Sequence, residues 1–368
     1  MGEKIKNTVI VLSIGLIWCI LALFCWIKPS DEISISERRK LEQLPEFKLQ
    51  TLLSGKFMTG FEEYAQDQFP HRFMLRKLKA YTRFYAFAQK DNNNIYIEGD
   101  YAAKLEYPLN EKSILSAADK FRYLYEKYMK DQKGNIYLSI VPDKGYYLAS
   151  QNGYPSMDYE QLFNILKNHM EFAEYIDISD VLELEDYYYT DIHWRQEKLM
   201  KVAEKIASAL GISEELSGNY EAIEADVPFY GVYYGQSALP LEHEKLYYLI
   251  NDIINDCRVY NVETDKTSPV YDTMKLHDKD PYDVFLSGAS PLLIVDNPNA
   301  AKEKELIVFR DSFGSSLIPL LLEGYSKVTL VDIRYITSDY LGEFVTFDNQ
   351  DVLFLYSTPV LNSSAVLK

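Results

Sequence analysis

Three side chains in this sequence could form a nucleophilic catalytic site: Asp191, His193 and Ser312. Asp191 and His193 lie two residues apart in "TDIHW", and Ser312 lies much later in the chain, in "RDSFGSS". A serine nucleophile needs a base to take its proton, and the base needs a neighbour that fixes its tautomer. The chain has five histidines, and none of the other four has a comparable setting. We therefore predict Ser312 as nucleophile, His193 as general base and Asp191 as the residue that orients it.

Both fragments also have a purely structural interpretation. Thr190 or Asp191 could cap the helix predicted just after them, and Asp311 or Ser312 could cap another, since Asp, Ser and Thr are common helix N-caps. The position of Ser312 favours a catalytic role. The apolar run "LIVF" before it predicts a buried strand, and the small residues after it allow a helix to start close by. Functional residues of open α/β sheets collect where strands end and helices begin, and N–H groups there can stabilise an oxyanion.

Composition excludes some classes of partner. The 368-residue chain has a net charge of −17 and no basic stripe, which argues against binding to nucleic acid. Its 31 tyrosines provide flat apolar surfaces with a polar tip, which suit carbohydrate and buried sheets equally well. Cys257 is the only cysteine outside the N-terminal apolar segment, and no Cys/His spacing indicates zinc. We expect no metal and no cofactor, and the role of Cys257 stays open.

The N-terminal segment predicts membrane attachment. Residues 8–27, "TVIVLSIGLIWCILALFCWI", form an uncharged run long enough to cross a hydrocarbon core of about 30 Å. Two lysines precede the run and acidic residues follow it, which favours a cytoplasmic N-terminus and an extracellular body. A cleaved signal peptide is the alternative, but its apolar region would be shorter and would end in small residues. We predict a single-pass signal anchor over residues 1–27 that fixes the chain to the cell membrane.

The rest of the chain divides by pattern into two parts. Residues 28–90 are polar and then helical in their apolar spacing, which predicts a linker and a helical stalk. Residues 91–368 alternate apolar strands with amphipathic helices, which predicts a parallel sheet covered by helices on both faces. The strands are expected at 135–142, 174–179, 305–309, 327–332 and 351–357. Between about 212 and 303 aromatic alternation predicts an antiparallel β insertion.

Taken together, the fragments carry a family resemblance. "TDIHW" followed by strand-"RDSFGSS"-helix resembles the alginate O-acetyltransferase-like (AlgX/AlgJ-like) branch of the SGNH hydrolase superfamily. More closely, the chain resembles the membrane-anchored DHHW proteins of Gram-positive bacteria. The resemblance runs from the anchor to the C-terminus and includes "SERRKLEQLPEF", "SGKFMTGFEEYAQDQFPHR", "VPDKGYYL", "FYGVYYGQSA" and "LYSTPVLNSSAVL".

The resemblance implies a flavodoxin-like SGNH fold outside the cell and a triad of Ser312, His193 and Asp191. It also implies movement of acetyl groups onto or off a secreted or cell-wall polysaccharide. The acetyl group would come from a partner, a multi-pass membrane-bound O-acyltransferase (MBOAT). Transfer to a sugar and hydrolysis of an ester share the same first half-reaction, so an O-acetyltransferase and an acetylesterase both remain open.

The sequence departs from the family pattern at two places. Ile192 replaces the histidine that gives the DHHW family its name, and "SGAS" stands where the family often has Gly-Gly-Asn. If Ala289 replaces an oxyanion-hole asparagine, the main-chain N–H groups of Ser312 and Gly288 are the remaining donors, and the loss costs on the order of 100- to 1000-fold in rate. A non-catalytic protein that binds glycan or scaffolds envelope assembly is therefore the alternative. Substrate-lining residues are predicted at Tyr230, Tyr233, Tyr234, Lys144 and Arg72.

Overall fold

The computed structural model describes residues 2–34 and 36–368, so Met1 of the predicted anchor lies outside the described residues. The chain divides into two units. The first contains residues up to Asn93 together with Tyr234–Pro240, and the second contains Asn94–Tyr233 and Leu241–Lys368. The boundary between the predicted stalk and the main domain stood at residue 90, and the sequence did not indicate that 234–240 joins the first unit.

Short helices and strands alternate along most of the chain. The α-helices are α1 Gly2–Ile27, α2 Leu49–Leu53, α3 Lys56–Asp67, α4 Arg72–Tyr81, α5 Glu111–Leu124, α6 Lys144–Leu148, α7 Tyr159–His169, α8 Met200–Leu210, α9 Val232–Ser237, α10 Asp252–Asp256, α11 Phe313–Leu317 and α12 Thr358–Asn362. The strands are β1 Ile33–Ser34, β2 Arg39–Lys40, β3 Asp91–Asn92, β4 Ile95–Glu98, β5 Tyr101–Lys104, β6 Ile136–Val141, β7 Glu174–Tyr175, β8 Glu221–Glu224, β9 Tyr247–Ile250, β10 Arg258–Asn261, β11 Lys266–Ser268, β12 Leu292–Asp296, β13 Glu305–Arg310, β14 Lys327–Val331 and β15 Asp351–Ser357.

The first unit begins with the apolar helix α1. Its 26 residues correspond to about 39 Å at 1.5 Å per residue, and it is long and apolar enough to cross a membrane, a property that signal sequences share. The hairpin β1–β2 and the helices α2–α4 follow. Within this unit Glu37 joins three arginines: Arg39 at 2.8 Å, Arg76 at 2.6 Å, and Arg72. The Arg76 guanidinium also donates to the Gly235 carbonyl at 2.9 Å, which fixes 234–240 in the unit.

The second unit is built on an eight-stranded sheet in the order β11-β10-β12-β14-β13-β15-β6-β7. Strands β14, β13, β15, β6 and β7 pair in parallel, whereas β12, β10 and β11 continue the sheet as antiparallel strands. The predicted insertion at 212–303 therefore supplies an edge of the main sheet, and only β8 and β9 form a separate antiparallel pair. The strand predicted at 174–179 is confined to Glu174–Tyr175.

Apolar side chains cover both faces of this sheet. Leu306 and Val308 of β13 belong to one core with α8 and α11, whereas Ile307 and Phe309 belong to the other with α5 and α7. A strand buried on both faces has no polar alternation, which is why β13 and β15 are continuous apolar runs. The predicted α/β fold, a mostly parallel sheet flanked by helices with antiparallel strands and an N-terminal apolar helix, is confirmed.

Candidate active site

Ser312 lies two residues after the end of β13, at the carboxyl edge of the parallel strands, and α11 begins at the next residue. Asp311 fixes this turn from a fully buried position. One of its carboxylate oxygens accepts from the Phe313 N–H at 3.0 Å, and the other accepts from the Ser357 N–H at 2.8 Å and the Ser357 hydroxyl at 2.6 Å. Asp311 thus joins the ends of two parallel strands, and Ser312 beside it is partly exposed.

The imidazole of His193 lies between Ser312 and Asp191. Its Nε2 atom is 2.8 Å from Ser312 Oγ, and its Nδ1 atom is 2.6 Å from Asp191 Oδ1. A carboxylate only accepts hydrogen bonds, so the proton belongs on Nδ1, and the Nε2 lone pair faces the serine hydroxyl. The structure brings the three residues of the predicted triad into one continuous hydrogen-bonded chain, in the geometry of a serine nucleophile with its base.

The Asp191 carboxylate is held on both sides. Besides the imidazole, Oδ1 accepts from the His193 N–H at 3.1 Å, and Oδ2 accepts from the Val232 N–H at 2.8 Å. The side chain is fully buried, so water does not compete for these positions. Neither Thr190 nor Asp191 caps a helix, because the next helical turn is a short 3₁₀ segment at Gln196–Lys198 and α8 starts at Met200. The purely structural interpretation of "TDIHW" is therefore not the arrangement found.

Two residues that the sequence analysis did not single out hold the loop before Asp191. Glu244 accepts from the Tyr189 N–H at 2.6 Å and from both the N–H and the hydroxyl of Thr190 at 2.7 Å. Gly231 donates its N–H to Thr190 Oγ1 at 2.9 Å. A Cβ atom at Gly231 would lie only 2.1 Å from the main-chain carbon of Thr190, so no other residue fits there without moving this loop.

Gly231→Ala is expected to lower the free energy of unfolding by about 1–3 kcal/mol, because an added methyl group forces the 190–191 backbone to shift. The same shift moves the carboxylate of Asp191, so any activity of the triad falls with it. Denaturant unfolding of the full-length chain in detergent measures the first effect. Gly60→Ala in α3 is the control, because the added Cβ would make only ordinary contact with Pro45 at 3.4 Å, and we expect no loss of stability. Equal stabilities of the two variants would contradict the prediction.

A further aromatic residue supports the histidine. The Tyr282 ring stacks on the imidazole of His193 with centroids 4.0 Å apart and planes 8° from parallel. Its hydroxyl is 2.7 Å from Ser316 Oγ, which also accepts from Trp194 Nε1 at 2.9 Å. The ring stacking and the hydroxyl contact hold the Tyr282 side chain in place, and its ring limits how the imidazole of His193 can tilt. Nothing in the sequence distinguishes it from the other tyrosines, so its place beside His193 could not be predicted.

The predicted lining residues have different surroundings. Lys144 is buried, and its Nζ donates to the carbonyls of Tyr188 at 2.8 Å and Tyr189 at 3.0 Å. Tyr233 is also buried, with Lys144 Nζ 5.0 Å from its ring centroid, whereas Tyr230 is exposed and lies beside His243. The ammonium of Lys144 thus binds the loop that leads to Asp191.

Arg72 belongs to the first unit, where its guanidinium is paired with Glu37 and lies 3.5 Å from Asp67. Tyr234 belongs to the same unit.

The predicted oxyanion donors differ in their availability. The Gly288 N–H already donates to the Phe285 carbonyl at 3.2 Å in a turn, so it could serve an oxyanion only if this bond opened. The Ser312 N–H has no hydrogen-bond acceptor among residues 2–34 and 36–368. Ala289 is exposed and carries no donor in its side chain. No group of three or more His, Cys, Asp or Glu side chains in the same described ranges could hold a metal ion.

Burial lowers the pKa of Lys144 to about 7, although the carboxylates of Glu244, Asp191 and Asp143 act in the opposite direction. In the unfolded chain this amine stays protonated until about pH 10.4. Between these values the unfolded state binds more protons than the folded state, so the free energy of unfolding rises with pH. This direction of the pH dependence is the one expected for a buried lysine whose charged form is disfavoured by folding.

We therefore expect stability to increase from pH 7 to 8.5, by up to about 1.4 kcal/mol per pH unit for this one proton. Lys144→Met removes the titration and flattens this dependence, whatever constant offset the lost hydrogen bonds add. Denaturant unfolding at several pH values measures it. Lys205→Met is the matched control, because Lys205 pairs with Asp180 at the surface and its removal leaves the slope unchanged. An unchanged slope in Lys144→Met would contradict the assignment.

The comparisons with known proteins agree with the fold. No protein-family model matches the chain, and no curated protein matches it. A DHHW family protein from Eubacterium siraeum has a similar structure, with a TM-score of 0.60 and 17% identity over 75% of this chain and 94% of that one. The structure of Bacillus cereus PatB1 with a sulfonyl adduct is also similar, with a TM-score of 0.55 and 17% identity over 73% of this chain and 95% of that one. The structure of PatB1 without the adduct has a TM-score of 0.52 and 18% identity over 73% of this chain and 96% of that one. The resemblance drawn from the sequence is thus confirmed at the level of the fold.

Proposed function

We propose that this chain is a membrane-anchored acyl-transfer enzyme in which Ser312 carries an acetyl group between a donor and a polysaccharide hydroxyl. The observation that carries the proposal is the hydrogen-bonded chain from Asp191 through His193 to Ser312, with distances of 2.6 and 2.8 Å. Such a chain activates a serine for attack on an ester carbonyl. The fold shared with a DHHW family protein and with PatB1 is consistent with it.

The proposed reaction has two halves. Ser312 Oγ attacks the acetyl carbonyl while His193 Nε2 takes the hydroxyl proton, and the tetrahedral oxyanion accepts a hydrogen bond from the Ser312 N–H. His193 then gives the proton to the departing donor oxygen, and acetyl-Ser312 remains. In the second half His193 removes a proton from a sugar hydroxyl, whose oxygen attacks the acetyl carbon. His193 then returns this proton to Ser312 Oγ as the bond between Oγ and the acetyl carbon breaks. Asp191 stabilises the imidazolium in both halves without taking its proton.

We assign residues 8–27 to the cell membrane, with a cytoplasmic N-terminus and the second unit outside the cell. An acetyl donor would then reach Ser312 from a membrane-bound O-acyltransferase, as the family resemblance implies. Water in place of the sugar would give an acetylesterase with the same residues in the same roles. The two outcomes differ only in the acceptor of the second half-reaction.

A specific observation favours a second candidate, a non-catalytic protein that binds glycan in envelope assembly. The Gly288 N–H is engaged in a turn and Ala289 has no side-chain amide, so the oxyanion has few donors. Loss of one donor costs on the order of 100- to 1000-fold in rate. The acyl-transfer proposal therefore predicts a slow enzyme, whereas the second candidate predicts no reaction at Ser312.

Covalent labelling distinguishes the two. The full-length chain in detergent micelles is treated with phenylmethylsulfonyl fluoride, whose sulfonyl group reacts with activated serines, and the peptides are analysed by mass spectrometry. We expect a sulfonyl adduct on Ser312 and loss of acetyl release from a chromogenic ester. Ser208→Ala removes an exposed serine of α8 and leaves labelling unchanged. Absence of both adduct and ester turnover would refute the enzyme. Adding a soluble oligosaccharide then separates transfer from hydrolysis by the acetylated product.

A further inference from the structure

The helix α4 and the turn after it present an apolar stripe to solvent. Met74, Leu78, Tyr81 and Tyr85 are 67%, 63%, 43% and 74% exposed, and their spacings of four, three and four residues place them on one helix face. The rings of Tyr81 and Tyr85 lie 5.3 Å apart, so the stripe is continuous there. A contiguous exposed apolar patch of this kind marks a surface that binds a protein or a membrane.

The same segment has a charge opposite to that of the whole protein. Residues 69–90 contain six Lys and Arg and no Asp or Glu, whereas the chain carries a net charge of −17. Two of the six, Arg72 and Arg76, pair with Glu37 within the first unit. Lys77 and Lys79 lie on either side of the apolar stripe and have no carboxylate within ion-pair distance among the described residues, and Lys79 Nζ donates to the side-chain carbonyl of Asn93 at 3.0 Å. Positively charged side chains beside exposed apolar ones can bind a surface that combines negative charge with hydrocarbon.

Contacts within the first unit place the start of α4 beside the end of the apolar helix α1. The ring of Phe24, about one turn before the last residue of α1, stacks on the ring of His71 at 6.4 Å between centroids. The chain just after α1 is also tied to the end of α3, because the Asp31 N–H donates to Gln68 Oε1 and Gln68 Nε2 donates to the Asp31 carbonyl, both at 2.9 Å. If α1 crosses the membrane, α4 therefore begins at its surface.

We propose that α4 and the following turn lie in the headgroup layer of an anionic bilayer, next to the anchor. Met74, Leu78, Tyr81 and Tyr85 would enter the boundary with the acyl chains, and Lys77 and Lys79 would contact lipid phosphates. Basic amphipathic helices bind membranes in this way, through buried apolar area and attraction to anionic lipid. The proposal does not depend on acyl transfer. It gives the first unit a second attachment to the membrane besides α1.

The test uses the full-length chain with Cys19→Ala and Cys25→Ala, in vesicles of phosphatidylcholine with phosphatidylglycerol. Burial raises the pKa of the Cys257 thiol to about 12, so this residue stays unlabelled. A bimane fluorophore is attached at Leu78→Cys or, as the matched control, at Met274→Cys in the second unit, which is 81% exposed. We expect lipids with a nitroxide near the headgroup to quench the label at 78 roughly threefold or more strongly than the label at 274.

Charge reversal and vesicle composition supply the second measurement. Adding Lys77→Glu and Lys79→Glu, or omitting phosphatidylglycerol, is expected to reduce quenching at 78 by roughly half or more. Equal quenching at 78 and 274 in anionic vesicles, with unchanged circular dichroism, would overturn the proposal. So would a label at 78 whose emission shifts to the blue without quenching by the lipid nitroxide, since protein and not lipid would then cover the stripe.

Discussion

Ser312→Ala is expected to reduce acetyl release from a chromogenic ester by roughly 10⁴- to 10⁶-fold. The substitution removes the oxygen that bonds to the acetyl carbon in the proposed reaction and leaves His193 and Asp191 in place. The lost hydrogen bond from Oγ to His193 Nε2 is worth about 1 kcal/mol, so the variant folds. Initial rates over a range of ester concentrations, with the full-length chain in detergent, measure the effect.

The Ser208→Ala variant again serves as the control for loss of a serine hydroxyl away from the triad, and it should keep the rate of the unmodified chain. A Ser312→Ala variant with that same rate would show that the ester reacts elsewhere, and Ser312 would lose its assigned role. Unfolding of each variant by denaturant separates loss of chemistry from loss of structure, because only a misfolded variant loses several kcal/mol of its free energy of unfolding.

Much of the second unit could be predicted because the patterns that specify its strands and helices lie within short stretches of the sequence. The runs that form β13 and β15 are apolar throughout, as expected for strands buried on both faces, and the turn after β13 contains the small residues that a helix start needs. Asp191 and His193 could be predicted as a pair because they lie only two residues apart in the sequence. Their partner Ser312 was predicted from its position at a strand end.

What escaped prediction depends on contacts between distant segments. Residues 195–210 have the pattern of one helix, yet α8 starts only at Met200, because Gln196 uses its side chain to bind Tyr271 at 3.0 Å and the Ser316 carbonyl at 2.7 Å. Tyr282 stacks on His193 from a segment that has no catalytic pattern. Gly231 is one of 16 glycines, and only the closeness of Thr190 shows why it must be glycine.

The same limit applies to the division into units. Aromatic alternation over 212–303 predicted antiparallel strands, and β8 to β12 are antiparallel. Alternation gives the face on which a side chain lies but not the sheet that a strand joins. Only the pairing of β12 with β14 shows that part of this segment extends the main sheet. That 234–240 belongs to the first unit follows from hydrogen bonds such as the one from Arg76 to Gly235.

Asp191→Asn is expected to lower ester turnover by about 10⁴-fold at neutral pH. The carboxylate accepts on both sides, from the His193 imidazole at 2.6 Å and from the Val232 N–H at 2.8 Å. An amide can accept on one side only. If its NH₂ group faces the imidazole, the proton moves to Nε2 and the histidine cannot take the Ser312 proton. If its NH₂ group faces Val232, two donors meet in a fully buried position, and the loop carrying His193 shifts.

Asp158→Asn provides a matched control with the same chemical change. Asp158 is the N-cap of α7 and accepts from the Gln161 N–H at 2.9 Å, a task that asparagine performs equally well. We expect that variant to retain both rate and stability. Comparison of kcat and KM identifies the cause, because a wrong tautomer lowers kcat and leaves the binding of the ester unchanged. If Asp191→Asn kept full turnover, the imidazole would need no carboxylate, and His193 would act without the partner that the fold provides.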